Sequence, residues 1–180
     1  MNNILCYYKY TEKEIKELLK SIVVVVDRRE QENLHIMQSF HKMKVETFNK
    51  SLSFGDYSFY LPANLDLGII RDLWFHNEIV IERKNSLEEL STNLAKNRTS
   101  FENELIRGKK CKFILLIEKG NYNDVIKGNY DTRFGKEAYW SSLMTFQARY
   151  NVNIQFIEKE IAGKYIYSTF YYHLRELLIN

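Results

Sequence analysis

Three short runs of the sequence are apolar without any alternation of polar residues, and they limit the possible folds more than any other feature. They are centred on residues 22–26, 79–81 and 113–117. Strands that are apolar on both faces are typical of sheets that helices cover on both sides. Each run is far shorter than the roughly 20 residues of a membrane-spanning helix. The sequence therefore predicts buried central strands in an α/β protein, with no membrane partner.

Amphipathic segments between these runs predict helices. Thr11 and Ser86 each stand three residues before a glutamate, which is the capping-box pattern that begins a helix. Residues 63–77 are irregular and predict either a hairpin extension or a mobile loop, and residues 120–135 hold three of the 7 glycines and indicate loops. The alternation of strands and helices over 180 residues indicates one α/β domain. We expect helices at residues 11–20, 31–42, 86–94, 98–107, 136–150 and 161–178, and further strands at 45–48, 57–61 and 152–158.

The composition is that of a mildly basic globular protein. The 26 basic and 23 acidic residues give a formal charge of +3, which permits an anionic partner without requiring one. The 2 cysteines form no CxxC motif, which excludes a disulfide scaffold and a cysteine-based zinc site and is typical of a reducing compartment. No basic segment followed by an apolar one begins the sequence. We therefore expect an intracellular protein, in the cytoplasm or nucleoid, that is not secreted.

The segment most informative about chemistry is Glu82-Arg83-Lys84, which ends an apolar strand. Side chains alternate along a strand, so Glu82 and Lys84 share one face and Arg83 points to the other. Burying Glu82 and Lys84 is costly unless they meet each other or a ligand. Together with Asp56, which follows Gly55 in a predicted turn, they form the Asp…Glu-x-Lys arrangement of restriction-type nucleases. Two such carboxylates suit a hard divalent cation, although most Glu-x-Lys pairs are solvated surface pairs.

The chain resembles the XPF family of structure-specific DNA endonucleases, whose nuclease domain carries a GDx(n)ERKx(3)D signature. Gly55-Asp56 and Glu82-Arg83-Lys84 match the two main parts, and Glu88 stands where the family has Asp. The resemblance covers residues 22–178. Its other matching elements are the aliphatic strand followed by Asp27-Arg28-Arg29-Glu30, the later pair Asn97-Arg98 with Phe101 and Glu102, and the strand at 113–118.

The resemblance implies a restriction-endonuclease-like single domain with a mixed central β-sheet flanked by helices. Residues 1–20 would be an N-terminal helical extension, and residues 21–180 the XPF-like nuclease domain. The implied activity is metal-dependent endonucleolytic hydrolysis of phosphodiester bonds in branched, flapped or otherwise structured DNA. The implied assembly is a homodimer or heterodimer through the nuclease domain. We expect the dimer surface on the C-terminal helix, at Tyr165, Tyr167, Phe170, Tyr171 and Tyr172.

The resemblance also implies roles for individual residues. Asp56 and Glu82 would hold Mg²⁺ or Mn²⁺, helped by the carbonyl oxygen of Arg83, and Lys84 would orient or help deprotonate the attacking water. Asp27 and Glu30 would supply further acids, Glu88 would occupy the last acidic position of the signature, and Arg29, Arg83 and Arg98 would grip phosphates. Structural alternatives remain open at this point: a helix cap at Asp27, a surface pair of Arg29 with Glu30, a helix-dipole contact at Glu88, a pair of Arg98 with Glu102, and an exposed Arg83.

Residues 57–81 separate the two main parts of the signature by more than we expect for the family. This longer connection predicts either a hairpin that contacts substrate or a different metal-binding acid, for which Asp66 and Asp72 are the candidates. Three other functions stay open. They are a catalytically inactive scaffold of the same fold, a metal-free DNA-binding or protein-interaction module, and a sequence-specific restriction-type enzyme.

Overall fold

The computed structural model describes Leu5 and residues 8–179 of the chain. Within this part, seven strands form one mixed sheet. The strands are β1 (Val23–Val26), β2 (Glu46–Asn49), β3 (Tyr57–Leu61), β4 (Leu73–Trp74), β5 (Ile79–Lys84), β6 (Lys112–Glu118) and β7 (Asn153–Ile157). Their order is β2-β1-β3-β5-β6-β7, with β4 paired to β3. The predicted mixed α/β sheet flanked by helices is therefore confirmed.

The central strand β3 runs antiparallel to both β1 and β5, whereas the outer pairs β1–β2, β5–β6 and β6–β7 are parallel. Since β1, β5 and β6 point the same way, their carboxyl ends lie at one end of the sheet, together with the amino end of β3. This end collects residues that are far apart in sequence. They are Asp27 after β1, Asp56 before β3, Glu82 to Lys84 in β5 and Glu118 in β6.

Helices cover the two faces of the sheet in separate groups. They are α1 (Glu12–Lys20), α2 (Leu34–Met43), α3 (Leu87–Ala95), α4 (Arg98–Gly108), α5 (Tyr122–Lys127), α6 (Lys136–Tyr150) and α7 (Ala162–Ile179). Residues of α1, α2 and α7 join one apolar cluster with Val24, Phe59 and Ile81. Residues of α3 to α6 join a second cluster with Val80, Phe113 and Leu115. Adjacent residues of β5 and of β6 thus enter opposite clusters, which is why both strands are apolar along their cores.

The connection between β3 and β5 has the conformation of a hairpin extension, one of the two interpretations of residues 63–77. Tyr60 pairs with Trp74 and Leu61 with Leu73. A short 3₁₀ helix, Leu65–Leu67, lies at its tip. Residues 120–135, in contrast, hold the helix α5, which the glycine count did not predict. Asn121 caps α5 by accepting the backbone N–H of Asp124.

Helix α1 begins as predicted, with both hydrogen bonds of the Thr11–Glu14 capping box present. Leu18 and Leu19 of this helix are buried in the first cluster. The division into an extension at 1–20 and a domain at 21–180 stays a prediction, and residues 1–4, 6 and 7 lie outside the described part. No helix among the described residues is long and apolar enough to cross a bilayer.

The expected dimer surface on α7 is for the most part core. Phe170 is fully buried, and Tyr165, Tyr167 and Tyr171 pack against the first cluster. Of these five aromatic residues, Tyr172 alone is strongly exposed, at 60%. Phe170 is thus core, and a dimer surface at the partly exposed tyrosines of α7 stays a prediction.

Candidate active site

Backbone hydrogen bonds join Asp56 to the ends of β1 and β5, the strands on either side of β3. Its backbone N–H donates to the carbonyl oxygen of Ile81 (2.9 Å), and its carbonyl oxygen accepts from the backbone N–H of Asp27 (2.7 Å). Its Oδ2 accepts from the backbone N–H of Arg83 at 2.8 Å. Gly55 makes this approach possible, because its φ is +71° and a Cβ there would lie 2.9 Å from the Cβ of Val80. The carboxylate of Asp56 therefore lies against the end of β5.

Glu82 and Lys84 share one face of β5, as the strand alternation predicts. Both residues are buried, with 4% and 7% of their surface exposed. The Nζ of Lys84 donates to Oε1 of Glu82 at 2.6 Å and lies 3.8 Å from Oε1 of Glu89. The same ammonium lies 5.5 Å from the ring centre of Phe101. The pair is thus buried against α3 and α4, and it is no solvated surface pair.

The charges at this end of the sheet perturb one another strongly. Burial raises the pKa of Glu82 to about 7, with Glu104 adding to the effect and Lys84 opposing it. Burial and the nearby Glu82 carboxylate hold the pKa of Asp56 well above its usual range. Burial favours the neutral amine of Lys84, yet Glu82 and Asp56 outweigh it and raise the Lys84 pKa. The Glu82 charge thus acts on Asp56, whose carboxylate the Arg83 N–H holds at the same strand end, and negative charge collects there.

These two carboxylates fit a hard divalent cation. Carboxylate oxygen is the ligand type that Mg²⁺ takes, and protein Mg²⁺ sites often use only one or two carboxylates together with water and substrate phosphate. In Leu5 and residues 8–179, no three His, Cys, Asp or Glu side chains form a group that could hold a metal ion. The fit therefore rests on Asp56 and Glu82 as the donor pair.

Arg83 lies on the opposite face of β5, and its guanidinium is 3% exposed. It donates to both oxygens of Glu118, at 2.9 and 3.1 Å, and to Oε1 of Glu30 at 2.7 Å. Oε1 of Glu118, which accepts from Nε of Arg83, also lies 2.9 Å from Nε2 of His35. In this structure the Arg83 donors are occupied by buried carboxylates, and its contact with a phosphate stays a prediction. The alternative of an exposed Arg83 is wrong, since the residue is 4% exposed.

Glu30 belongs to this buried cluster through Arg83. Burial raises the pKa of Glu30, although the charge of Arg83 and its hydrogen bond oppose the effect. Burial pushes the pKa of Glu118 in the same direction, but the hydrogen bonds from Arg83 and His35 outweigh it and lower that pKa. The cluster anchors the middle residue of the Glu82-Arg83-Lys84 motif from behind the sheet.

Asp27 is 1% exposed and organises the turn after β1. Its carboxylate accepts the backbone N–H groups of Arg29 (2.8 Å) and Leu52 (2.6 Å) and pairs with the Arg29 guanidinium at 2.8 Å. The interpretation of Asp27 as a helix cap is wrong, since the N-cap of α2 is Asn33. Arg29 pairs with Asp27 instead of Glu30, and its side chain stays 69% exposed. The catalytic roles of Asp27 and Glu30 and the phosphate contact of Arg29 stay predictions.

Among the acids of α3, Glu89 approaches Lys84, whereas Glu88 turns elsewhere. Oε1 of Glu88 accepts the backbone N–H of Asp131 at 3.0 Å. Arg98 forms the predicted i,i+4 pair with Glu102 at 2.7 Å, so that structural alternative is confirmed. The structure does not bring Asp66 or Asp72 to Asp56. Both follow β3, whose five residues span roughly 13 Å away from Asp56 at about 3.3 Å each.

Three residues near the site were missed from the sequence. Glu104 lies on α4, where its Oε1 accepts the backbone N–H of Gly55 at 3.0 Å. A signal for it was present, because Glu104 stands three residues after the buried Phe101 on one helical face. Glu118 ends an apolar strand just as Glu82 does, so the same rule identifies it. His35 had no local signal, since its partner is 83 residues away.

Comparisons with known proteins place this geometry in a family. The model of the ERCC4 domain matches residues 26–168. Among curated proteins, no sequence match is found. The structure of XPF from Aeropyrum pernix superposes with a TM-score of 0.61 at 17% identity, covering 84% of this chain and 61% of that one. XPF from Aeropyrum pernix in complex with DNA gives a TM-score of 0.56 at 17% identity, covering 86% and 66%.

The chain spans less than two thirds of either of these XPF structures, and at this identity the superpositions establish the fold. The family match covers most of the chain, including the Gly55-Asp56 turn and the Glu82-Arg83-Lys84 strand end. The chain therefore belongs to the ERCC4 domain family and has the fold of an XPF-type nuclease domain.

Proposed function

We propose that this protein is a metal-dependent DNA endonuclease that acts on branched, flapped or otherwise structured DNA. The observation that carries the proposal is the convergence of Asp56, Glu82 and Lys84. The Oδ2 of Asp56 lies 2.8 Å from the backbone nitrogen of Arg83, and Arg83 stands between Glu82 and Lys84 in the sequence. On a fold of the ERCC4 family, this arrangement favours phosphodiester hydrolysis over an inactive scaffold and over a metal-free binding module.

Asp56 and Glu82 would hold the divalent ion, Mg²⁺ or Mn²⁺, with the carbonyl oxygen of Arg83 as a further donor. When bound, the ion supplies a water ligand of lowered pKa and offsets negative charge on the scissile phosphate. Lys84 donates to Glu82 in this structure, and from the same position it would orient the attacking water and hold a phosphate oxygen. Arg83, Glu118 and Glu30 keep the strand end in place from the other face.

The substrate class is supported by the family and by the solved XPF complex with DNA. The formal charge of +3 is compatible with a polyanion. Action on structured DNA suits roles in DNA repair or recombination. A dimer through the nuclease domain also remains part of the proposal, with Phe170 of α7 excluded from its surface by burial.

The test is cleavage of end-labelled flap and fork substrates by purified protein, with Mn²⁺, with Mg²⁺ and with EDTA. We expect cleavage near the branch point in the presence of either ion and none in EDTA. Glu82→Gln should lower the rate about 100-fold or more, because it removes a metal-binding carboxylate while keeping the side-chain shape. Circular dichroism and urea unfolding would verify that the variant is folded.

Glu78→Gln provides the matched control. Glu78 directly precedes β5, and it lies roughly 13 Å along the strand from Glu82 at about 3.3 Å per residue. This control should cut at the rate of the unmodified protein. Equal rates for folded Glu82→Gln and unmodified protein would refute the proposed active site. Metal-independent DNA binding without cleavage would favour the binding-module alternative.

A further inference from the structure

Among the described residues, the helices of the second cluster share it with β5 to β7, on one half of the sheet. That cluster consists of α3 to α6, β5 to β7 and neighbouring loops, and among the described residues it includes no member of β1 to β4. Three aromatic rings lie on the other half of the sheet. Phe48 lies on β2, Tyr60 on β3 and Trp74 on β4, and we call these three residues the aromatic platform.

The rings of the platform are packed together yet accessible. Tyr60 and Trp74 stack with centroids 4.5 Å apart and planes inclined by 18°. Phe48 stands 6.0 Å from each of them, edge to face. Phe48 is 43% exposed, and the other two rings are half-buried. The Nζ of Lys50 lies 3.7 Å from the centre of the Trp74 ring. The ammonium of Lys50 thus covers the Trp74 ring together with the neighbouring rings of Tyr60 and His76.

A row of cations joins the platform to the candidate active site. The segment 49–53 leads from β2 towards Gly55-Asp56, and three of its carbonyl oxygens accept arginine side chains. Arg28, Lys50 and Arg107 form no ion pair with a carboxylate in the part of the chain that is described. We call Arg28, Arg29, Lys50 and Arg107 the basic rim. Arg28 donates to the carbonyl oxygen of Asn49 (3.5 Å), Arg29 to that of Leu52 (2.9 Å) and Arg107 to that of Ser53 (3.2 Å). Lys50 lies over the Trp74 ring.

The acidic residues near the platform lie on its other side. Burial raises the pKa of the Tyr60 hydroxyl, with the nearby Asp72 and Glu46 adding to the effect. Asp72 accepts the backbone N–H of Ala63 in the hairpin extension, and Glu46 begins β2, at the end of that strand remote from Asn49. The face therefore has a cationic side towards Asp56 and stacked rings beyond it. Exposed rings next to cations are the combination that binds unpaired nucleotides, because bases stack on aromatic faces while the backbone needs positive charge.

We propose that the aromatic platform and the basic rim bind single-stranded DNA beside the active site. Unpaired bases would stack on Trp74 and Phe48, and the phosphates would contact the arginines of the rim. Lys50 would leave the Trp74 ring and pair with a phosphate, so its ammonium exchanges a cation–π contact for an ionic one. The nature of the nucleic acid rests on the proposed function. The stacking surface itself rests on the geometry of the described residues.

Trp74 can report binding directly, because the chain has only 2 tryptophans and Trp140→Phe leaves Trp74 as the single one. In this variant, oligothymidine should quench the fluorescence saturably in EDTA, whereas a blunt hairpin duplex of equal length should quench it weakly. Trp74→Leu should weaken binding of fluorescein-labelled oligothymidine by roughly tenfold or more, as loss of base stacking does. Trp74→Phe keeps a stacking ring and should retain most of the affinity.

Two further variants separate stacking from general effects. Tyr8→Leu removes an exposed ring that lies 6.0 Å from Tyr10, next to the first cluster, and it should bind as the unmodified protein does. Lys50→Gln should reduce the slope of log affinity against log salt by about 0.7, the value for one phosphate contact on a single strand. A purely structural role of Lys50 would change stability and leave that slope unchanged.

Unchanged oligothymidine affinity in folded Trp74→Leu, or an unchanged salt slope in Lys50→Gln, would overturn the proposal. Self-association that Trp74→Leu abolishes while DNA affinity is kept would also overturn it, since the face would then bind protein. Because binding is measured in EDTA, quenching without any cleavage in metal would refute the nuclease and keep the platform. If folded Trp74→Leu and Lys50→Gln both cut flap DNA and bind oligothymidine as the unmodified protein does, the platform would be refuted and the nuclease would stand.

Discussion

Replacing Arg83 by methionine separates a structural role from a DNA-binding role. The Arg83 guanidinium is 3% exposed, and the Glu118 side chain that it contacts is fully buried. Removing one partner of a buried ion pair costs about 3–5 kcal/mol, because the other charge is left without compensation. His35 stays within 2.9 Å of Glu118 and Glu30 keeps 13% exposure, so we expect a loss near the lower end, about 3 kcal/mol.

Urea unfolding followed by circular dichroism measures this loss. With a slope of about 2 kcal/mol per molar urea, a loss of about 3 kcal/mol lowers the midpoint by about 1.5 M. Adding Glu118→Leu to Arg83→Met should recover about half of the loss, since the buried charge disappears with its partner. Arg175→Met is the control, because the Arg175 side chain is 44% exposed and its one ion pair within the described part of the chain is with Glu176. This substitution should change the free energy of unfolding by less than about 0.5 kcal/mol.

The reasoning fails if Arg83→Met keeps the urea midpoint of the unmodified protein while its DNA affinity falls. That result would return Arg83 to the phosphate-gripping role implied by the resemblance. It would also mean that Glu118 and Glu30 find other partners without cost.

Three other changes have defined outcomes. Asp27→Ala should cost about 2–4 kcal/mol in urea unfolding, because it leaves the buried Leu52 N–H without its acceptor at 2.6 Å; an unchanged midpoint would leave Asp27 free for a chemical role. Gly55→Ala should cost about 2–3 kcal/mol and abolish cleavage, since the residue has φ +71° and its new Cβ meets Val80; retained cleavage would contradict this. Burial lowers the pKa of His173 to about 4, so the folded protein keeps it neutral and its contribution to stability falls as pH drops from about 6.5 towards 4. Between pH 7 and pH 5 the unmodified protein should lose about 1–2 kcal/mol more of its free energy of unfolding than His173→Phe does. Comparing the two proteins cancels the opposite trend of Glu82, whose raised pKa stabilises the fold as pH falls. Equal losses in the two proteins would disprove the assignment.

Six of the seven strands, all but the two-residue β4, and most helices were predictable because their signals are local. Uninterrupted apolar runs identified β1, β5 and β6, and the capping box identified the start of α1 at Thr11. The shared face of Glu82 and Lys84 followed from strand alternation alone. Helix α5 escaped because its six residues give too short a pattern to outweigh the neighbouring glycines.

The partners of the charged residues depended on the tertiary structure. Nothing near Arg83 in sequence indicates that it is buried between Glu118 and Glu30, which lie 35 and 53 residues away. Likewise, the rings at Tyr60 and Trp74 face Phe48 only because β3 lies between β1 and β4 in the sheet. The local pattern thus determined which segments form strands and helices, since the spacing of apolar residues along the chain follows the period of the strand or helix that buries them. Strand order and direction decided which side chains meet, because an ion pair or a metal site joins residues that only the folded chain brings together.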